Sequence, residues 1–136
     1  MNWQKFLITF VVVFVVFNIL SFLVHVLWLS SDYQQLASVW RIDMDKYMWV
    51  SFVTAVFYCF FFVFIFARGQ ENKGIMEGIR YGLIIWAFYS IPVLYNQFMA
   101  YPISYSLVLK WLFGELVTVI ILGVITALVY KPKEAK

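Results

Sequence analysis

Apolar residues run almost unbroken through four stretches of this chain, residues 6–29, 47–67, 79–100 and 104–130. About 20 such residues in a helix cross a hydrocarbon core of about 30 Å. The first two stretches hold no Asp, Glu, Lys or Arg; the third holds only Arg80, and the fourth holds Lys110 and Glu115. Residues 10–17 and 60–66 are apolar on every face, which excludes the alternating pattern of a small membrane β-barrel. Backbone groups in lipid must pair within the chain, so the stretches are predicted as helices. Their many β-branched and aromatic residues are weak helix formers, but the environment overrides that preference. The expected architecture is all-α: a polytopic four-transmembrane-helix antiparallel bundle forming a single domain over residues 1–136.

The first stretch is about twice as long as the apolar region of a signal peptide and lacks an A-x-A-like cleavage site, so it reads as a spanning helix. Apolar residues make up 65% of the chain, and the mean hydropathy is +0.89. A soluble domain of this size has too little interior to hide that much apolar surface. The 22% aromatic content falls largely near predicted interfaces, where Trp and Tyr form belts.

Charge adds an orientation. Lys5, Arg68, Lys73, Arg80, Lys131, Lys133 and Lys136 share one side, seven in all; Arg41, Lys46 and Lys110, three in all, share the other. Lys and Arg mark the cytoplasmic side, so both termini are expected there, in a cell inner membrane. The net charge of +3 is then a topology signal, and no nucleic-acid motif accompanies it. The single Cys59 excludes an internal disulfide and a multi-cysteine metal site. The single His25 excludes two-histidine haem ligation within one chain. No metal site or cofactor is assigned.

Between the first two stretches, Leu36, Val39, Trp40 and Met44 recur at near-helical spacing. They predict either a short amphipathic helix in the headgroup region or an ordered loop capping the bundle. Asp32, Asp43 and Asp45 are either a weak cation attractor or solvated charges. Lys110 is expected to extend to the interface. The turn at Tyr101-Pro102 is short, which makes helices three and four antiparallel neighbours. Pro92 predicts a kink in helix three.

Small residues recur at four-residue spacing. Gly74, Gly78 and Gly82 are expected to line one face of helix three, with Gly114 and Thr118, and Gly123 and Ala127, answering on helix four. Such spacing lets helices approach closely.

Ionisable groups within spans are candidate functional sites. Asn18, Ser21 and His25 share one face of helix one. At about 1.5 Å per residue, Ser21, Thr54, Asn96 and Glu115 all fall about 20–24 Å from the inner end. Each helix thereby offers a polar group to one candidate intramembrane layer: Asn18, Ser21, His25, Thr54, Asn96 and Glu115. The layer is either a hydrogen-bonded cluster that fixes helix register or a site that handles a proton, a cation or a lipid headgroup.

No hydrolase elbow, zinc-protease motif, phosphate loop or dinucleotide fingerprint is present. Leu27-Trp28-Leu29, Gly78 with Gly82, and Phe113-Gly114 give the chain a layout that resembles small four-helix bacterial membrane proteins of a domain-of-unknown-function family. His25 stands where that pattern carries an acid, and Lys110 where it often does. The resemblance implies the topology and no activity. The leading expectation is a structural or accessory subunit of a membrane assembly, partnered by the lipid bilayer and by its own copies as a homo-oligomer or by other membrane subunits. A small transporter or lipid- or small-molecule-binding protein using Glu115 stands second, and an intramembrane enzyme third.

Overall fold

The computed structural model describes residues 1–131, and every regular element among them is a helix. α1 (Trp3–Ser21) continues through a π-helical segment, Phe22–Trp28. α2 (Ser30–Gln35) and a 3-10 turn, Met44–Tyr47, lead into α3 (Met48–Gly69). α4 (Ile75–Ile85), a π-helical segment (Trp86–Ser90) and α5 (Ile91–Ala100) form one rod, and α6 (Tyr105–Val129) follows. Four rods, Trp3–Trp28, Met44–Gly69, Ile75–Ala100 and Tyr105–Val129, are long and apolar enough to cross a membrane. The chain has the build of a multi-pass membrane protein. Lys133 and Lys136, counted above for orientation, lie outside the described residues. We call the end holding the N-terminus and Val129 the terminal end, and the opposite end the cap end.

Helix starts are set by local caps. The Asn2 side chain accepts from Lys5 N (3.0 Å) at the start of α1, and Ser104 Oγ accepts from Leu107 N (3.2 Å) at the start of α6, pairing donors that a helix leaves free. The third rod begins at Ile75, four residues before the apolar stretch, because Glu77 and Arg80 hide its first turns from a hydropathy reading. Gly74 corrects one expectation. It precedes the helix at φ +65°, and no atom lies within 4 Å of where its Cβ would be. It supplies a left-handed turn, not a packing surface.

The other glycines do pack. A Cβ on Gly78 would lie 2.8 Å from Val124 Cα, and one on Gly82 would lie 2.6 Å from Val119 O; Gly123 faces Gly78 in return. α4 and α6 therefore meet backbone to backbone. Gly114 admits Val24 and Trp28 from the π-segment of the first rod. α6 is central, touching both α4 and α1, while α3 rests on α1. α3 also meets α4 through Tyr81, whose ring sits edge-on to Phe62 and Phe66 and whose hydroxyl donates to Phe62 O (2.5 Å).

The core is split in two. At the terminal end, Phe6, Val13, Cys59, Phe62, Val63, Val119 and Leu122 are buried together. At the cap end, Leu29, Ile103, Leu107, Val108 and Trp111 form a smaller cluster, covered by Tyr33, Leu36 and Trp40. The cap departs from the amphipathic helix suggested by residues 36–44. Its helix is Ser30–Gln35, and Leu36 and Trp40 reach the core from turns. The Trp40 indole donates to Tyr33 O (3.2 Å). This is the ordered-cap alternative.

Pro92 is accommodated by a π-turn. Ile91 N–H bonds Trp86 O, five residues back. A proline ring clashes with the carbonyl four residues before it, here that of Phe88, and the widened turn moves that carbonyl aside. Trp86 Nε1 donates to Leu112 O (2.9 Å), tying this turn to α6.

Candidate functional site

Glu115 lies on α6 midway between Trp111 of the cap core and Val119 of the terminal core. Neither cluster closes around it. A chamber of about 260 Å³ remains, lined by Glu115, by Ser21 and Phe17 of the first rod, by Ser51, Thr54 and Tyr58 of α3, and by Tyr89 of the second π-segment. A second space of about 400 Å³ adjoins it between α3 and the third rod, walled by Phe57, Phe61, Ile65, Ile85 and Phe88. Thr54, Tyr58 and Tyr89 line both. Phe57, Phe61 and Phe88 are exposed on the outside of the bundle. The two spaces form a lateral cleft running from the lipid-facing surface to a carboxyl group.

Two polar groups at this junction have no protein partner. Glu115 makes no hydrogen bond or ion pair among the described residues. The Tyr58 hydroxyl is buried and also unpaired. Such groups normally find partners, so a chamber that leaves two unpaired is chemically prepared for a ligand or for water.

The side chains that seemed closest to Glu115 are engaged elsewhere. His25 Nδ1 lies 2.6 Å from Tyr33 Oη, and Trp111 Nε1 donates to the same oxygen (2.8 Å). The Tyr33 hydroxyl thus bridges the Trp111 indole and the His25 imidazole. Burial raises the Tyr33 phenol above its ordinary value; the Trp111 hydrogen bond opposes this, and the charges of Asp32 and Glu115 reinforce it. Lys110, expected to extend to the interface, donates to both oxygens of Asp32 in the cap (2.8 and 2.9 Å). This pair fastens α2 to α6. Arg41 engages Asp43 (2.6 Å) and covers the Tyr47 ring at 3.9 Å. Asp32 and Asp43 therefore neutralise local cations. Among the described residues, no three His, Cys, Asp or Glu side chains gather as metal ligands.

The expected layer is thus assembled only in part. Ser21, Thr54 and Glu115 share the chamber. His25 belongs to the Tyr33–Trp111 network. Asn18 and Asn96 face outward, their amides donating back to Phe14 O (2.7 Å) and Pro92 O (2.8 Å) on their own helices. Depth alone does not specify a side chain's direction, and direction separates these two from the chamber.

Sequence reasoning also missed Tyr58, Tyr89 and Tyr33. Tyr58 lies four residues after Thr54, so its place on the same face was readable. Tyr33 carried no periodic signal. Glu77 was missed as well. Its buried carboxylate accepts from Glu71 N (2.5 Å) and Lys73 N (2.8 Å), shaping the loop that begins the third rod. Beside it, Glu71 pairs with Lys73 (2.5 Å) and Arg80 (2.9 Å), and its carboxyl is pulled down to about 2, chiefly by the hydrogen bond from Lys73 and then by that from Arg80.

A scan against family models and searches of curated proteins and solved structures find no match to this chain.

Proposed function

We propose that this chain is a membrane-embedded binding protein for an amphiphile whose headgroup donates hydrogen bonds or carries positive charge. The observation that carries the reading is the lateral cleft ending on Glu115, while Lys110 is paired with Asp32 and His25 is engaged with Tyr33. The aromatic walls accept a hydrocarbon tail, and the carboxyl with Tyr58 and Thr54 accepts the head. Entry from the bilayer spares the ligand passage through water. The same proposal puts both termini on the cytoplasmic side of a cell inner membrane, supported by the distribution of Lys and Arg.

Photolabelling in vesicles tests it. A diazirine-bearing long-chain alkylamine should label peptides from α3 and the third rod more than the matching alcohol does. Glu115→Gln should reduce that labelling about 10-fold or more, the range of a lost charge-assisted hydrogen bond. Equal labelling of α6 surface peptides, or labelling indifferent to Glu115, would overturn the reading.

The alternative role as a subunit of a membrane assembly has one observation in its favour, the outward-facing Asn18.

A further inference from the structure

The first rod presents a seam to the outside that lipid alone satisfies poorly. Ile8, Val11, Val15, Asn18 and Phe22 are all exposed, and their spacing alternates between three and four residues. That is the heptad spacing of a helix that packs lengthwise on another helix. Four of the five are apolar; the fifth is an amide.

Asn18 is the fifteenth residue beyond Trp3 and the tenth before Trp28, so it lies well inside the hydrocarbon thickness, about 15 Å or more from either rod end at about 1.5 Å per residue. Its Nδ2 makes one bond, to Phe14 O (2.7 Å). One N–H and the amide oxygen stay free, with no water at that depth to take them. Unpaired polar groups in hydrocarbon are costly, and interhelical amide bonds relieve that cost. Asn96 makes the same kind of bond to its own helix but lies four residues from the end of α5, where interfacial water is in reach.

We propose that a second copy of this chain covers the seam, the two first rods packing in parallel about a two-fold axis near Asn18. The occupant follows from the chemistry. An amide is self-complementary, its free N–H meeting the oxygen of an identical amide. Copies inserted with one topology run parallel, so equal depths coincide. A two-fold contact uses the same patch on both partners, which places Asn18 opposite Asn18. The seam does not line the Glu115 chamber, so this inference is independent of the ligand reading.

Disulfide trapping in native membranes tests it, using the full chain. The wild-type chain is the control, since Cys59 is fully buried. Val11→Cys, Val15→Cys and Phe22→Cys should each give an oxidant-dependent homodimer. Leu109→Cys and Val117→Cys, exposed on α6, should not. Adding Asn18→Leu to Val15→Cys should reduce the trapped fraction roughly 3- to 10-fold, the range of intramembrane hydrogen bonds; Asn18→Gln should retain most of it. Three results would overturn the proposal: no dimer at seam positions, equal trapping on α6, or trapping only to a different protein. The cysteine scan keeps Asn18 intact, so it decides even where Asn18→Leu fails to insert.

Discussion

The α4–α6 contact in the terminal half is closed, and the space between α3 and the third rod, which leads to the chamber in the cap half, is open. In the terminal half, Gly78, Gly82 and Gly123 bring α4 and α6 into backbone contact, and Phe6, Val13, Val63 and Leu122 are fully or almost fully hidden. In the cap half both helical irregularities occur, Phe22–Trp28 and Trp86–Ser90, and between them lies the chamber with Glu115 and the unpaired Tyr58 hydroxyl. The difference teaches a division of labour. Small residues at helical spacing let two rods meet without voids. Large aromatics and widened turns hold α3 away from the third rod, and the space left is lined by groups that packing did not need. Single-turn π-segments often mark functional sites, and here one of them supplies Tyr89 to the chamber.

The largest effect that would break this comparison is expected at the closed contact. Gly123→Val should lower stability by about 3 kcal/mol, read as a fall in melting temperature in detergent, because its new atoms meet the backbone of Gly78. Gly69→Ala, with nothing near its Cβ position, should change little. Equal effects would mean that the α4–α6 contact is not the firm half of the bundle.

Next come the bonds that hold the cap. Tyr33→Phe removes the hydroxyl between Trp111 and His25 and should cost about 1–2 kcal/mol. A double-mutant cycle of Asp32→Asn with Lys110→Met should give a coupling of about 1 kcal/mol, discounted because the lysine side chain is 37% exposed. No coupling would detach the cap from α6 energetically.

Glu115→Gln should leave the melting temperature in detergent nearly unchanged, since the carboxyl makes no hydrogen bond or ion pair among the described residues, while it reduces ligand labelling. A large loss of stability would make Glu115 a structural group and sharpen the comparison in the opposite direction.

The smallest effect belongs to the loop at the terminal end. The carboxyl of Glu71 is held at about 2 against an ordinary value of 4.5. A lowered carboxyl value stabilises the folded loop above the ordinary value, and that contribution fades as pH falls from 4.5 through about 2. Protection against hydrogen exchange at residues 71–74, each rate taken relative to the intrinsic rate at the same pH, should therefore fall over that acid window, and Glu71→Gln should abolish that fall. Glu71 lies at the surface in an exposed ion pair, so global stability should scarcely respond.

Much of this protein was legible in its sequence. Continuous apolar runs determined four spanning helices, because lipid admits backbone only when its hydrogen bonds close within the helix. Small-residue spacing identified Gly78, Gly82, Gly114 and Gly123 as packing positions, and Tyr101-Pro102 marked the last turn. Gly74 shared that spacing but lies outside the helix, since spacing does not report where a helix begins. Depth grouped Asn18 and Asn96 with Glu115, yet only the tertiary structure decided which way each side chain faces. It turned Ser21 and Tyr58 toward the chamber, left Thr54 exposed at its rim with its hydroxyl donating to Ser51 O, paired Lys110 with Asp32, and engaged His25 with Tyr33. Those partners lie 78 and 8 residues apart in the chain. Local periodicity sets what each helix offers, but the rotation of one helix against another, which decides which offers meet, is a property of the packed bundle.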